Sequence, residues 1–167
     1  MFNFCRDAPF FIHRVCGRRG CYHPQFMAGA AGRGKGERIM SAGYIIITNN
    51  PMVDEKFRDT HDVVFRDVSY REILEEAMDW IMKGHELLTH PLSGSVKPNE
   101  TPYKSLLVRK KAGSRDVHSI ELIERAVETC DKFEKRTFMY KPGVYTDFQL
   151  VDLTLIESGM SSADEWL

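Results

Sequence analysis

Gly43-Tyr44-Ile45-Ile46-Ile47-Thr48-Asn49-Asn50-Pro51 is the stretch on which the fold turns: an apolar run with three successive isoleucines, closed by two asparagines and a proline. β-Branched residues favour extended backbone, and Asn-Asn-Pro is turn chemistry, so the stretch reads as a buried strand that delivers a polar loop.

Working outward, the charged stretch Asp54 to Asp59 leads to His61–Arg66, a second strand. Ser69-Tyr70-Arg71-Glu72 fits a capping box, in which the hydroxyl and the carboxylate satisfy amides of a first helical turn. Behind it Ile73, Leu74, Ala77, Met78, Ile81 and Met82 recur at helical spacing, and Gly84 is placed to end the helix. Glu86–His90 reads as a third strand stopped by Pro91, and Ser105–Arg109 as a fourth. Asp116 to Phe133 carries one apolar stripe, and Thr146 or Asp147 can cap a last helix that includes Phe148, Leu153 and Ile156. Gly159 to Leu167 is polar, and residues 161–167 are expected to fray. The expectation is an α/β domain over residues 40–160, small and Rossmann-like, with about four strands in a mainly parallel or mixed sheet and about three helices. In such sheets ligands bind at the carboxyl ends of the strands.

The first 39 residues are a different kind of sequence. They carry seven Arg or Lys against two acids, a net charge of +5, while the remaining 128 residues carry 16 basic and 22 acidic side chains, or −6. The apolar run Ala8 to Ile12 is short and holds a proline, unlike a secretory signal. His13, Cys16, Cys21 and His23 lack the spacing of a zinc finger. The aromatics among the basic residues are scattered without spacing, so nucleic acid is not expected as a partner. Lys35-Gly36-Glu37-Arg38-Ile39-Met40 is what a purine-rich ribosome-binding sequence before an ATG would encode, so residues 1–39 are expected to be untranslated or disordered, with a working start at Met40. No stretch of the chain approaches the roughly 20 apolar residues that a helix needs to cross a bilayer.

Two loops could carry chemistry. One is Thr48-Asn49-Asn50-Pro51; the other runs from Thr89 to Ser105 and holds three prolines, one glycine, five Ser or Thr, two lysines and a histidine in 17 positions. Prolines remove conformations from the unfolded chain, and hydroxyls, amides and lysines are anion ligands. The candidate binding residues are therefore Thr48, Asn49, Asn50, Thr89, His90, Ser93, Gly94, Ser95, Lys97, Asn99, Thr101, Tyr103 and Lys104. His90 is the candidate acid or base, because histidine is the side chain that changes charge nearest neutral pH. The spacing of a P-loop, a GxGxxG motif, a nucleophile elbow, a redox CxxC pair and a metal-ligand set are all missing, so no cofactor or metal is expected. Cys130 falls on the apolar stripe of its helix and reads as a buried, inert thiol.

Ile46 to Pro51, together with the 16 residues His90 to Ser105, resembles the GrdX family over roughly residues 40 to 160. Members are small proteins encoded beside the subunits of glycine, sarcosine or betaine reductase in amino-acid-fermenting anaerobes. The resemblance implies a cytoplasmic protein working near a selenium- and thioredoxin-dependent enzyme that makes acetyl phosphate. It implies no catalytic residue, since the family carries no established activity. The leading expectation is an accessory protein that binds a reductase component through the two loops. The alternative is a pocket for a small anion, acetyl phosphate or a carboxylate, with Thr89, Ser93, Ser95, Lys97 and Lys104 as donors.

Overall fold

The computed structural model describes residues 42–93, 96–98, 100–133 and 140–167. The chain divides into two units, Met1–Gly36 and Glu37–Leu167, and every described residue belongs to the second. The elements of that unit, in chain order, are β1 (Tyr44–Thr48), α1 (Pro51–Phe57), β2 (Asp62–Phe65), α2 (Tyr70–Met82), β3 (Ser105–Arg109), α3 (Val117–Lys132) and α4 (Pro142–Trp166).

β1 is the central strand of a three-stranded mixed sheet ordered β2-β1-β3. It runs parallel to β2, with Ile46 opposite Val63, and antiparallel to β3, with Ile46 opposite Leu107. Successive side chains of a strand point to opposite faces. Ile45 and Ile47, with Leu106 and Val108, pack under α2 and α3 against Ile73, Leu74, Ala77, Ile81 and Ile123. Tyr44 and Ile46, with Leu107, pack on the other face against Val53 of α1 and Leu153, Ile156 and Met160 of α4. The unbroken apolar run of β1 is thus explained by helices on both sides. The architecture is three layers, α/β/α.

The capping box of α2 forms: the Ser69 hydroxyl accepts from Glu72 N, and the Glu72 carboxylate accepts from Ser69 N at 2.8 Å. Gly84 follows that helix with φ +98°. Cys130 is buried in the α2/α3 layer.

Three expectations are corrected. The described residues hold three named strands rather than about four and four helices rather than about three, and with β1/β3 antiparallel the sheet is the mixed one of the two expected alternatives. The segment expected as a strand, Glu86–His90, lies beside β3 but makes only a single bridge, Leu87 with Val108. Two backbone bonds tie it to β3, Leu88 N to Leu107 O at 2.9 Å and Arg109 N to Glu86 O at 2.7 Å, but hydroxyls take the next amides: Leu87 N donates to Ser119 Oγ at 3.0 Å, and Leu107 N donates to Thr89 Oγ1 at 3.0 Å. The extra helix is α1, where Asn50 Oδ1 caps Met52 N at 3.0 Å and Pro51 occupies the first turn. That Asn-Pro pair is a helix start as well as a turn signal. Finally, α4 begins at Pro142 rather than at Thr146 or Asp147 and continues to Trp166, because Met160 and Ala163 are buried against the sheet. The polar residues of the expected frayed tail are the outer face of that last helical stretch.

Candidate functional site

The polar loop after β1 is held by side chains that reach three other segments. Asn49 accepts from Lys104 N through Oδ1 at 2.7 Å and donates through Nδ2 to Val68 O and Pro102 O. Asn50, fully buried, donates through Nδ2 to Gln149 O at 2.8 Å and to Asp152 Oδ2 at 2.9 Å. Buried amides are stable only when such partners are present, so these bonds fix the loop to α4 and to the entry of β3.

Asp152 is the hub. Its carboxylate accepts from Ser105 N at 2.9 Å, Ser105 Oγ at 2.7 Å and Asn50 Nδ2. A carboxylate only accepts, so the Ser105 proton is committed to Asp152. The 2.7 Å contact between Thr48 Oγ1 and Ser105 Oγ therefore has Thr48 as donor, and Thr48 Oγ1 in turn accepts from Asn50 N at 2.9 Å. One directed chain of hydrogen bonds runs from the Asn50 amide through Thr48 and Ser105 to Asp152.

Lys104 lies one residue before Ser105 and is only 6% exposed. Its Nζ donates to Ser93 Oγ at 3.1 Å, which ties the two ends of the 89–105 loop together, while its backbone N, on Asn49 Oδ1, joins that loop to the one after β1. Burial pushes its pKa below the ordinary lysine value, and the nearby Asp152 carboxylate opposes that shift. Burial, with the Cys130 and Asp152 charges, raises the Tyr70 phenol well above its usual range, so it stays protonated; its hydroxyl reaches Pro91 O at 3.5 Å.

These groups border a cavity of about 370 Å³. Its floor is Lys104, Ser105, Asp152 and Ile156, all buried; Leu88, Thr89, Leu92, Ser93 and Gly159 form half-buried walls; His90, Leu155 and Ser162 stand exposed at the rim. Gly159 is needed for the closeness of α4, since a Cβ there would sit 2.8 Å from Thr89 Cγ2. His90 Nδ1 lies 2.9 Å from Leu92 O and 3.1 Å from Leu92 N, so its own loop takes that nitrogen in either tautomer. A wider concavity of about 490 Å³ lies over α2 between Arg66, Glu72, Glu75, Glu76 and Asp79, away from both loops. It is the solvated acidic face of a helix.

Of the residues expected from the sequence, Thr89, His90, Ser93 and Lys104 line the cavity, while Thr48, Asn49 and Asn50 brace its floor from behind. Lys97 is exposed and does not line it. Thr101 bonds Tyr103 N at 3.3 Å, and the Tyr103 hydroxyl accepts from Gln149 Nε2, so these two shape the loop outside the cavity. Gly94, Ser95 and Asn99 lie outside the described residues. Asp152 and the role of Ser105 were missed. Asp152 sits among apolar positions of α4, between Val151 and Leu153, and an acid on an otherwise buried helical face is the signal that could have marked it.

Among the described residues no group of three or more His, Cys, Asp or Glu could hold a metal ion, and no helix is long and apolar enough to cross a membrane. Fold and site together define a small three-layer α/β protein with a lysine-floored polar cavity at the carboxyl end of its central strand. The chain belongs to the GrdX-like protein family, whose model matches residues 45–161 and so takes in both loops. No curated protein and no solved structure matches the chain.

Proposed function

We propose that this chain is a cytoplasmic accessory protein of the glycine, sarcosine or betaine reductase system that takes a small anion, a carboxylate or an acyl phosphate, into the cavity floored by Lys104. The observation that carries the reading is Lys104 itself: a lysine side chain almost entirely out of water, bordering open space, with Ser93 Oγ as its hydrogen-bond acceptor among the described residues. Burying a cation is costly, the nearby Asp152 carboxylate offsets only part of that cost, and perturbed titratable groups gather at functional sites. An anion in the cavity supplies a direct counter-charge, with Thr89 and Ser93 beside it. His90, at the rim, is the group placed to carry a proton if the bound anion reacts. Family membership supports the reductase context, where the resemblance connects the chain to acetyl phosphate.

A second reading has a reductase component docking on the molecule, and the exposed Leu150, Val151 and Leu155 of α4 favour it. Thermal unfolding separates the two. Acetate, glycine, phosphate and acetyl phosphate are each added to the wild type, to Lys104→Met and to the surface control Lys97→Ala. A ligand at 100 times its Kd stabilises by about 2.7 kcal/mol, which moves the midpoint by roughly 5–10 °C in a domain of this size. The pocket reading expects such a shift in the wild type and in Lys97→Ala, and none in Lys104→Met. No shift with any anion, in a protein that melts cooperatively and captures a reductase subunit, contradicts it in favour of docking.

A further inference from the structure

The cavity floor carries two opposite charges with hydrogen-bonding capacity to spare. An ammonium has three donors, of which Lys104 gives one to Ser93 among the described residues. A carboxylate has about four acceptor sites. On Asp152, among the described residues, Oδ2 accepts from Ser105 Oγ and Asn50 Nδ2, whereas Oδ1 accepts from Ser105 N alone. A simple anion answers Lys104 but leaves Asp152 facing a like charge in a desolvated space. A ligand bearing both charges answers both groups and keeps the cavity neutral.

The walls add a third requirement. Leu88, Leu92, Leu155 and Ile156 supply apolar lining, from buried Ile156 to exposed Leu155. At about 370 Å³ the space falls at the small end of the ~300–1,000 Å³ usual for ligand pockets, enough for a molecule well below nucleotide size. We infer that the ligand is an α-amino acid with an apolar side chain, its carboxylate on Lys104, its ammonium on Asp152 and its side chain along Leu88, Leu92 and Leu155. The inference rests on the pocket reading above and narrows its anion to the carboxylate of a zwitterion.

Calorimetric titration of the full chain with four probes tests it: L-leucine, 4-methylpentanoate, which lacks the amine, 3-methylbutylamine, which lacks the carboxylate, and glycine, which lacks the side chain. Leucine is expected to bind at least tenfold more tightly than each of the others, because a buried polar group left unpaired, or an apolar wall left empty, is paid for in affinity. Lys104→Met abolishes that binding, and Leu155→Ser at the exposed rim weakens leucine while leaving glycine unchanged. Binding of 4-methylpentanoate as tightly as leucine overturns the zwitterion and leaves the carboxylate pocket standing. Glycine matching leucine overturns the apolar subsite. No binding by any carboxylate, or leucine binding that survives Lys104→Met, overturns the inference; if phosphate and acetyl phosphate also fail to bind, the pocket reading falls with it.

Discussion

Asp152 and Lys104 are two buried charged residues with opposite consequences for the fold. Asp152 accepts from three donors, so Asp152→Ala strands the Ser105 amide, the Ser105 hydroxyl and the Asn50 amide in a buried place. Each stranded group costs about 1–3 kcal/mol, and with partial relaxation a loss of roughly 3–4 kcal/mol is expected by denaturant unfolding. Among the described residues Lys104 Nζ gives one hydrogen bond, to Ser93, so Lys104→Met is expected to leave stability unchanged or raise it, because a buried cation is replaced by an apolar side chain of similar length. The pH dependence follows from the direction of its shift. With a folded pKa below the ordinary 10.5, the unfolded chain binds more protons in the interval between the two values. The penalty of charging Lys104 is full below the folded pKa and is relieved as pH rises toward 10.5. Wild type is therefore expected to gain stability relative to Lys104→Met across that interval, as read from paired melting curves; parallel curves would contradict the burial of the charge.

At the scale of elements, the turns and caps divide what could be read in the sequence from what could not. Gly84 is fixed by backbone geometry: at φ +98° a Cβ would lie 2.4 Å from Gly113 O, and Gly113 N donates to Gly84 O at 2.8 Å. Gly84→Ala is expected to lower stability by about 2 kcal/mol or more through strain and displacement of that strap; an unchanged melting temperature would contradict the left-handed turn. This position, the capping box at Ser69 and Glu72, and the strand 44–48 were legible because each is specified by neighbours in sequence. The segment 86–90 was not, because its pairing with β3 is cut short where Ser119, distant in sequence, takes Leu87 N and the Thr89 hydroxyl takes Leu107 N. The start of α1 was written in Asn50-Pro51, yet the same pair also spells a turn. The last turns of α4 were hidden because Gly159 and the serines lower helix propensity, while burial of Met160 and Ala163, a tertiary effect, decides the outcome. In the candidate site the loop residues were visible by composition; their partner Asp152 was not, since nothing in sequence joins position 152 to position 105.

At the scale of the whole molecule, both cores of the described residues are assembled from residues 42 onward, on the two faces of one sheet. A chain beginning at Met40 is accordingly expected to melt within about 2 °C of the full chain, a change of about 1 kcal/mol or less for a domain of this size. A larger drop would mean that the basic first 39 residues add to the fold. The central claim, however, is that a buried lysine waits in the cavity for a carboxylate. The most direct measurement is the NMR titration of the Lys104 side-chain 13Cε resonance, assigned by its loss in Lys104→Met, with and without saturating L-leucine. The account predicts a pKa below that of the surface lysines in the free protein and an upward shift once the carboxylate is bound. A Lys104 that titrates with the surface lysines, or that does not respond to leucine or to any other carboxylate, would contradict it.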